Sequence, residues 1–200
     1  MKIAVLGSGN VGGALGKAWV RAGHDVTFGS RDSDQDAGIS GAGRAPVAQA
    51  IREAEVVVLA VPWAAVPDVI KQGGDWSGKI LIDCTNPIGP GFELAVGHTT
   101  SAGEQTAKLA TGARVAKAFN TTGFGNMQNP VYGGKPVTMF YASDDPAAQK
   151  TAEQLVRDVG FEPVFAGPLK MARYLEPLAM LWINLSQRLS LDFALTIVRR

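Results

Sequence analysis

The sequence predicts an α/β protein: a doubly wound, mainly parallel sheet with helices on both faces and a short C-terminal helical segment. Three observations support this class. Short apolar runs alternate with segments of helical periodicity. The first apolar run ends in a glycine-rich turn that opens a helix. The 200 residues suffice for one domain with a full core, and they leave little for a second.

The chain begins with a strand, a tight turn and a helix. Residues 3–6 form a continuous apolar run, which is typical of a parallel strand buried on both faces. The motif Gly7-x-Gly9-x-x-Gly12 follows, and we expect a helix over Asn10–Arg21. In such a motif the first glycine allows the turn and the second lets a pyrophosphate approach the backbone. The third lets the helix pack closely on the sheet.

The rest of the chain continues this alternation. A polar, glycine-rich connection over residues 32–45 separates the second strand from the next helix. Pro62 ends the third strand, and Pro146 suits the first turn of a helix. The further expected strands are residues 26–29, 55–61, 79–83, 114–119, 137–141 and 162–165. The further expected helices are residues 45–53, 63–71, 103–111 and 146–159, followed by a largely helical region over residues 169–198.

We expect one domain in two parts. Residues 1–168 form the nucleotide-binding domain, and residues 169–200 form a helical segment that packs on it or on a partner subunit. The C-terminal segment is too short to fold alone.

The glycine motif lies in the context that dinucleotide binding requires. A strand precedes it, a helix follows it, and a second strand begins near Asp25. The N-terminus of that helix directs free N–H groups and a positive dipole at bound phosphates. Because the chain has 24 glycines, the alternative is a glycine-rich turn that only packs the unit.

The end of the second strand indicates which dinucleotide binds. An acid there would accept hydrogen bonds from the ribose hydroxyls and repel a 2′-phosphate. This chain has Gly29-Ser30-Arg31 instead, and a hydroxyl with a guanidinium suits a phosphate dianion. The sequence therefore predicts NADP(H). The alternatives are that Arg31 pairs with Asp32 or is a solvated surface residue.

The predicted site lies where the strands end. Ligands of open parallel sheets bind outside the carboxyl ends of the strands, so residues that follow different strands meet at one crevice. The predicted cofactor-binding residues are Gly7, Ser8, Gly9, Asn10, Val11, Gly12, Ser30, Arg31, Ala60, Val61, Pro62, Asn86, Pro87, Asn120 and Thr121.

No side chain presents itself as a catalytic acid or base, and no metal-ligand spacing occurs. His24 lies in a turn at the opposite edge of the sheet, and His98 is expected to be solvated in a long loop over residues 88–102. Cys84 is interpreted as a small buried residue. Lys117, inside a strand, either approaches the crevice or pairs with an acid. Hydride transfer between two ring cofactors needs orientation and exclusion of water more than a protein acid.

The composition excludes several classes of partner. The net charge is +1 and 46% of residues are hydrophobic, so neither nucleic acid nor a membrane surface is implied. The single cysteine excludes a disulfide framework. No apolar stretch reaches membrane-spanning length, and no leader precedes the first strand, so we expect a cytoplasmic location.

Motifs spread over nearly the whole chain carry a resemblance to a known family. They are Gly7-Ser-Gly-Asn-Val-Gly12, Gly23-His24, Gly29-Ser-Arg31, Leu59-Ala-Val-Pro-Trp63, Asp83-Cys-Thr-Asn-Pro87, Lys117-Ala-Phe-Asn-Thr121 and Ala166-Gly-Pro-Leu169. The chain resembles the NADPH-dependent oxidoreductases related to coenzyme F420-dependent NADP reductase. It also resembles the cytosolic NADPH-binding domain of the six-transmembrane ferric reductases.

This resemblance implies a Rossmann domain, usually a homodimer, that binds NADP(H). A second redox cofactor, either F420 or a flavin (FAD or FMN), would stack against the nicotinamide near Asn86-Pro87, residues 120–123 and residues 124–127. Hydride would pass between NADPH and that ring. The archaeal deazaflavin enzymes carry a histidine where Asn120 stands, so NADPH use is implied more directly than F420 use. Two alternatives remain: an NADPH-dependent reductase of a small carbonyl or imine substrate, and a non-catalytic NADP-sensing protein.

Overall fold

The computed structural model describes residues 1–30 and 38–200. The strands in these ranges are β1 (Lys2–Leu6), β2 (Asp25–Ser30), β3 (Ala42–Pro46), β4 (Val56–Leu59), β5 (Ile80–Asp83), β6 (Arg114–Ala118), β7 (Val131–Tyr132), β8 (Lys135–Pro136), β9 (Thr138–Ser143) and β10 (Glu162–Gly167). The helices are α1 (Asn10–Arg21), α2 (Val47–Glu53), α3 (Val66–Gly73), α4 (Ala102–Leu109), α5 (Phe124–Gln128), α6 (Pro146–Val159) and α7 (Ala172–Leu189). Short 3₁₀ turns lie at Trp63–Ala65, Pro90–Phe92 and Leu169–Met171.

Eight of these strands form one sheet in the order β10-β9-β6-β5-β4-β1-β2-β3. The first six strands of the chain, β1 to β6, run parallel to one another. Strand β9 runs antiparallel to β6, and β10 runs parallel to β9. The predicted doubly wound, mainly parallel sheet is therefore confirmed. The chain order reverses between β1 and β4, which is the switch point at which dinucleotides bind in sheets of this order.

Apolar side chains cover both faces of the sheet. On β1, Ile3 and Val5 belong to the core layer that contains Trp19 of α1. Ala4 and Leu6 face the opposite layer, with residues of α2 and α3. All four residues of β4 are buried. This double coverage explains why the central strands appear in the sequence as continuous apolar runs.

Several elements differ from the expectations. The connection over residues 32–45 contains part of β3, an edge strand whose Ala-Gly-Arg-Ala-Pro sequence has no apolar run. The sequence analysis also missed α5 and the β7–β8 hairpin, whose turn uses positive φ angles at Gly133 and Gly134. The last helix ends at Leu189, so the helical region does not extend to residue 198.

The C-terminal segment folds back on the rest of the chain. The rings of Trp182 and Phe193 stack with centroids 5.0 Å apart. The Thr138 backbone N–H donates to Thr196 Oγ1 at 3.2 Å, and the Ile197 N–H donates to Thr138 Oγ1 at 3.0 Å. The segment thus packs against β9. None of the helices in the described ranges has the length and apolarity needed to cross a bilayer.

Candidate functional site

The three motif glycines serve different purposes. Gly7 has φ +108°, and a Cβ there would overlap the carbonyl oxygen of Ala60. A Cβ at Gly12 would overlap the carbonyl oxygen of Gly7. Gly9 has an ordinary φ of −71°, and nothing lies within 4 Å of the position of its missing Cβ. Gly7 and Gly12 are therefore required by packing, whereas Gly9 leaves open space outside the turn.

The N-terminus of α1 opens into this space. Gly9 is the N-cap residue, no side chain in the described part of the chain caps the helix, and its first turn contains no acid. Ser8, Gly9 and Asn10 are exposed and Val11 is half-buried. The first helical hydrogen bond runs from the Gly13 N–H to the Gly9 carbonyl at 2.8 Å. The preceding N–H groups and the helix dipole suit an anion such as a pyrophosphate.

A crevice of about 400 Å³ joins the glycine turn to the carboxyl ends of β2 and β4. Its walls are Leu6, Gly7, Ser8, Gly29, Ser30, Val47, Val61, Pro62, Ala65, Asp68, Val69 and Gln72. The structure thus brings the turn, Ser30 and the Val61-Pro62 pair together, as expected. Ala60 lies behind Gly7, and its N–H donates to the Leu6 carbonyl at 2.9 Å.

A basic side chain that the sequence analysis missed lies at the end of β2. Arg44 of β3 donates from Nη1 to Ser30 Oγ at 3.1 Å. Its strand register places Arg44 opposite Phe28, two residues before Ser30. Arg31 lies outside the described residues.

The remaining predicted residues meet at the carboxyl ends of β5 and β6. Asn86 Nδ2 donates to the Asn120 carbonyl oxygen at 2.9 Å, and Asn120 Nδ2 donates to Asn86 Oδ1 at 3.0 Å. Asn120 Nδ2 also donates to the Leu175 carbonyl at 3.1 Å, which fixes the orientation of its amide. Pro87 and Thr121 are buried beside this pair. These four predicted residues are outside the walls of the crevice at β2 and β4.

Two features mark Asn120 as unusual. Its Oδ1 atom is buried and has no hydrogen-bond partner within residues 1–30 and 38–200. The preceding residue, Phe119, is buried with φ +60°, which is rare for a bulky side chain. A strained backbone and an unsatisfied buried polar atom each cost free energy, and such features are found most often at functional sites.

Lys117 pairs with acids and does not enter the crevice. Its ammonium, fully buried, contacts Asp83 Oδ2 at 3.2 Å and Glu176 Oε1 at 3.0 Å. It also donates to the Thr85 carbonyl at 2.5 Å. Burial alone would lower the pKa of Lys117, but the two carboxylates outweigh burial and raise it. A sealed, charged ammonium with all three donors used is unsuited to protonating a substrate.

The other candidate groups have structural settings. Burial, and then the charge of Asp83, raise the pKa of the Cys84 thiol, so it stays protonated. His24 Nε2 lies 2.8 Å from Asp158 Oδ2. His98 is exposed in the loop after β5. No group of His, Cys, Asp and Glu side chains suited to a metal ion occurs in the ranges that the structure describes.

Comparison with known proteins identifies the family. Residues 2–87 match the family model described as NADP oxidoreductase, coenzyme F420-dependent. An F420-dependent NADP reductase from Methanothermobacter marburgensis is 32% identical over 93% of this chain and 92% of its own. This chain belongs to the F420-dependent NADP reductase family. The resemblance inferred from the motifs is confirmed.

Two further relatives support this assignment. A crystal structure from Arthrobacter sp. FB24, provisionally described as an F420-dependent NADP reductase, superposes with a TM-score of 0.89 at 31% identity over all of both chains. The metalloreductase STEAP3 from Rattus norvegicus is 31% identical over 90% of this chain. The chain spans only 36% of that metalloreductase. Family membership establishes that the protein is an NADP(H)-dependent oxidoreductase.

Proposed function

We propose that the protein transfers hydride between NADPH and the ring of a second redox cofactor, either F420 or a flavin. The observation that carries this proposal is the chemistry of the β5 and β6 ends. Amide, proline and hydroxyl side chains lie there, and Lys117, buried next to them, is paired with the carboxylates of Asp83 and Glu176. Direct hydride transfer requires the two rings to be held in orientation, and such a surface can do this without a proton donor.

The residues present fit an NADP(H) molecule. Gly9 leaves the space that a pyrophosphate needs, and the uncapped N-terminus of α1 supplies N–H donors. In this proposal Ser30, Arg31 and Arg44 bind the 2′-phosphate, and Val61 and Pro62 cover the adenosine. The nicotinamide would then lie toward Asn86 and Asn120, because β4, β5 and β6 are successive neighbours in the sheet.

The acceptor remains a choice between two ring systems. The Methanothermobacter relative is named as F420-dependent, which supports F420. Residue 120 is an asparagine where the resemblance implies a histidine in the archaeal deazaflavin enzymes, and that difference favours a flavin. Both rings accept hydride directly, so either satisfies the argument from the strand ends.

A stopped-flow experiment tests the proposal. Purified protein is mixed with NADPH and, separately, with F420, FMN or FAD, and the absorbance of NADPH and of the acceptor is followed. Matched loss of both absorbances with one acceptor is the expected result. Absence of hydride transfer to all three acceptors would refute the proposed reaction while leaving NADPH binding intact.

The nucleotide preference is tested separately. Replacing Ser30 and Arg31 together with alanine should weaken NADPH binding much more than NADH binding, because only NADPH carries the 2′-phosphate. A charge-assisted hydrogen bond is worth about 1.5–3 kcal/mol, or roughly 10- to 100-fold in affinity. Equal losses for the two nucleotides in calorimetric titrations would contradict the phosphate role.

We also propose a homodimer through the outward face of α7. Tyr174 and Leu181 are 68% and 51% exposed, and Leu178 and Leu185 lie between and beyond them at helical spacing. An apolar stripe of this kind is typical of a helix that packs against a partner. Leu181→Glu should halve the mass measured by light scattering, and a wild-type monomer would exclude the dimer.

A further inference from the structure

Lys117, Asp83 and Glu176 form a buried triad in which every ammonium proton has an acceptor. The acceptors are Asp83 Oδ2, Glu176 Oε1 and the Thr85 carbonyl oxygen, at 3.2, 3.0 and 2.5 Å. Glu176 also accepts the N–H groups of Ala102 and Gly103 at the start of α4, at 2.9 and 3.0 Å. The network therefore joins two central strands, α4 and α7.

Stability alone is a poor explanation for such a triad. Removing two carboxylates and an ammonium from water is costly, and well-packed apolar residues of similar volume often stabilise a core as well or better. What a fully hydrogen-bonded polar network provides is one defined geometry. The question is therefore which part of the molecule this triad holds in place.

The triad holds Thr85, the residue before Asn86. Lys117 binds the Thr85 carbonyl, while Asp83 Oδ1 accepts the Thr85 N–H at 2.9 Å and its hydroxyl at 2.7 Å. All three polar groups of Thr85 are thus fixed by the two charged residues. The loop that carries Asn86 leaves β5 along a defined path.

The triad is also connected to Asn120, through the residue that precedes Glu176. Asn120 Nδ2 donates to the carbonyl of Leu175, the residue before Glu176, and to Asn86 Oδ1. The backbone carbonyl of Asn120 accepts from Asn86 Nδ2, so two hydrogen bonds join the Asn86–Asn120 pair. Lys117 therefore binds two residues adjacent to this pair: Thr85 precedes Asn86 itself, and Glu176 follows Leu175, whose carbonyl accepts from Asn120. A displacement of Lys117 would move both supports of the pair.

We propose that Lys117 is a positioning residue for hydride transfer, acting through the Asn86–Asn120 pair. The inference rests on the proposed function, because it assumes that the nicotinamide lies against this pair. Hydride transfer depends steeply on the placement of the donor and acceptor carbons, and a misplacement of about 1 Å can cost about 100-fold in rate. Phosphate binding depends on β1, β2 and β3 instead, and does not need the triad.

The main test is Lys117→Met, which keeps most of the stem and removes the ammonium. We expect kcat for hydride transfer to fall roughly 10- to 100-fold, while the NADPH dissociation constant changes less than about threefold. The fluorescence of bound NADPH should also change, since it reports the surroundings of the nicotinamide ring. The pH profile of kcat should keep its shape.

Lys79 provides a matched control. Its ammonium also donates to backbone carbonyls, those of Arg52 and Ala54 at 2.8 and 2.6 Å, but it lies before β5, at the amino ends of the strands. Lys79→Met should change stability without changing kcat or the fluorescence of bound NADPH. Glu176→Gln is a milder second variant, which leaves Lys117 and Asp83 as one ion pair. It should lower kcat roughly three- to tenfold, and it replaces Lys117→Met if the latter fails to fold.

The possible results distinguish the positioning role of Lys117 from the proposed hydride transfer. An active wild type with folded Lys117 and Glu176 variants of unchanged kcat would overturn the positioning role alone. Parallel loss of kcat and NADPH affinity would indicate a structural role and would overturn it as well. Loss of one limb of the pH profile in Lys117→Met would indicate proton donation, which also contradicts positioning. A wild type that reduces none of the acceptors would remove the proposed reaction and the inference together.

Discussion

Gly9→Ala separates phosphate binding from folding more cleanly than any other change in the glycine turn. The backbone at Gly9, with φ −71° and ψ −167°, is accessible to alanine, and no protein atom lies within 4 Å of the new methyl. Alanine is a poorer N-cap residue than glycine, which destabilises the folded protein by about 1 kcal/mol or less. Alanine also lowers the conformational entropy of the unfolded chain, which stabilises the folded protein by about 1 kcal/mol or less. We therefore expect the free energy of unfolding to change by no more than about 1 kcal/mol.

The binding effect should be much larger. The methyl group would occupy the space that the pyrophosphate needs to reach the N–H groups of α1. Loss of one charge-assisted hydrogen bond costs about 1.5–3 kcal/mol, so the NADPH dissociation constant should rise roughly 10- to 100-fold. NADH binding should fall by the same factor, because both nucleotides carry the pyrophosphate.

Gly13→Ala is the matched control. Gly13 lies within α1, and a Cβ added there would contact only the Ser8 carbonyl oxygen, at 3.9 Å. The helix should gain about 1 kcal/mol from the change, with no effect on affinity. Fluorescence titration with both nucleotides and thermal melts of the two variants supply the measurements. Unchanged affinity in Gly9→Ala, or a loss that only follows a loss of stability, would refute the assigned role of the turn.

Three further outcomes are expected. Arg44→Ala should weaken NADPH binding roughly tenfold and leave NADH binding unchanged, whereas Arg52→Ala, on an exposed face of α2, should affect neither in calorimetric titrations. Because burial raises its thiol pKa, Cys84 should resist a thiol reagent at about pH 8 in native protein and react after unfolding; fast native labelling would contradict the burial. The hydrogen bond from Arg173 lowers the pKa of Glu104, so its stabilisation is present at neutral pH and is lost as Glu104 becomes protonated. Urea titrations of wild type and Arg173→Gln should therefore differ at about pH 7, and the difference should shrink as the pH falls through the range in which Glu104 becomes protonated. A difference that stays constant into acid would exclude this linkage.

Local signals predicted the regular elements well. The bounds of α1 and α6 agree with the expected Asn10–Arg21 and residues 146–159. In α6 the end signals are physical: Asp145 Oδ1 accepts two N–H groups of the first turn, and Gly160 takes the left-handed conformation at the C-cap. The central strands were predicted because burial on both faces requires continuous apolar runs.

Non-local contacts could not be predicted in this way. Strand β3 lacks an apolar run because it lies at the sheet edge, and Arg44 was missed with it. The fifth strand of the sequence prediction was correct as β6, but its pairing with an antiparallel β9 carries no local signature. The partners of Lys117 lie 34 and 59 positions away, and only the strand order and the path of α7 bring them together. The roles of the predicted site residues remain predictions.

Glu176 is synthesised after all the strands of the sheet, which affects the order of folding during synthesis. Until α7 emerges from the ribosome, one proton of the Lys117 ammonium and the N–H groups of Ala102 and Gly103 lack their final acceptor. The buried hydrogen-bonding groups at the centre of the sheet therefore gain their last acceptor only after α7 has been synthesised. A nascent chain that stops before Glu176 should hold its early strands in a looser, protease-sensitive state, and the final helix should complete the fold cooperatively.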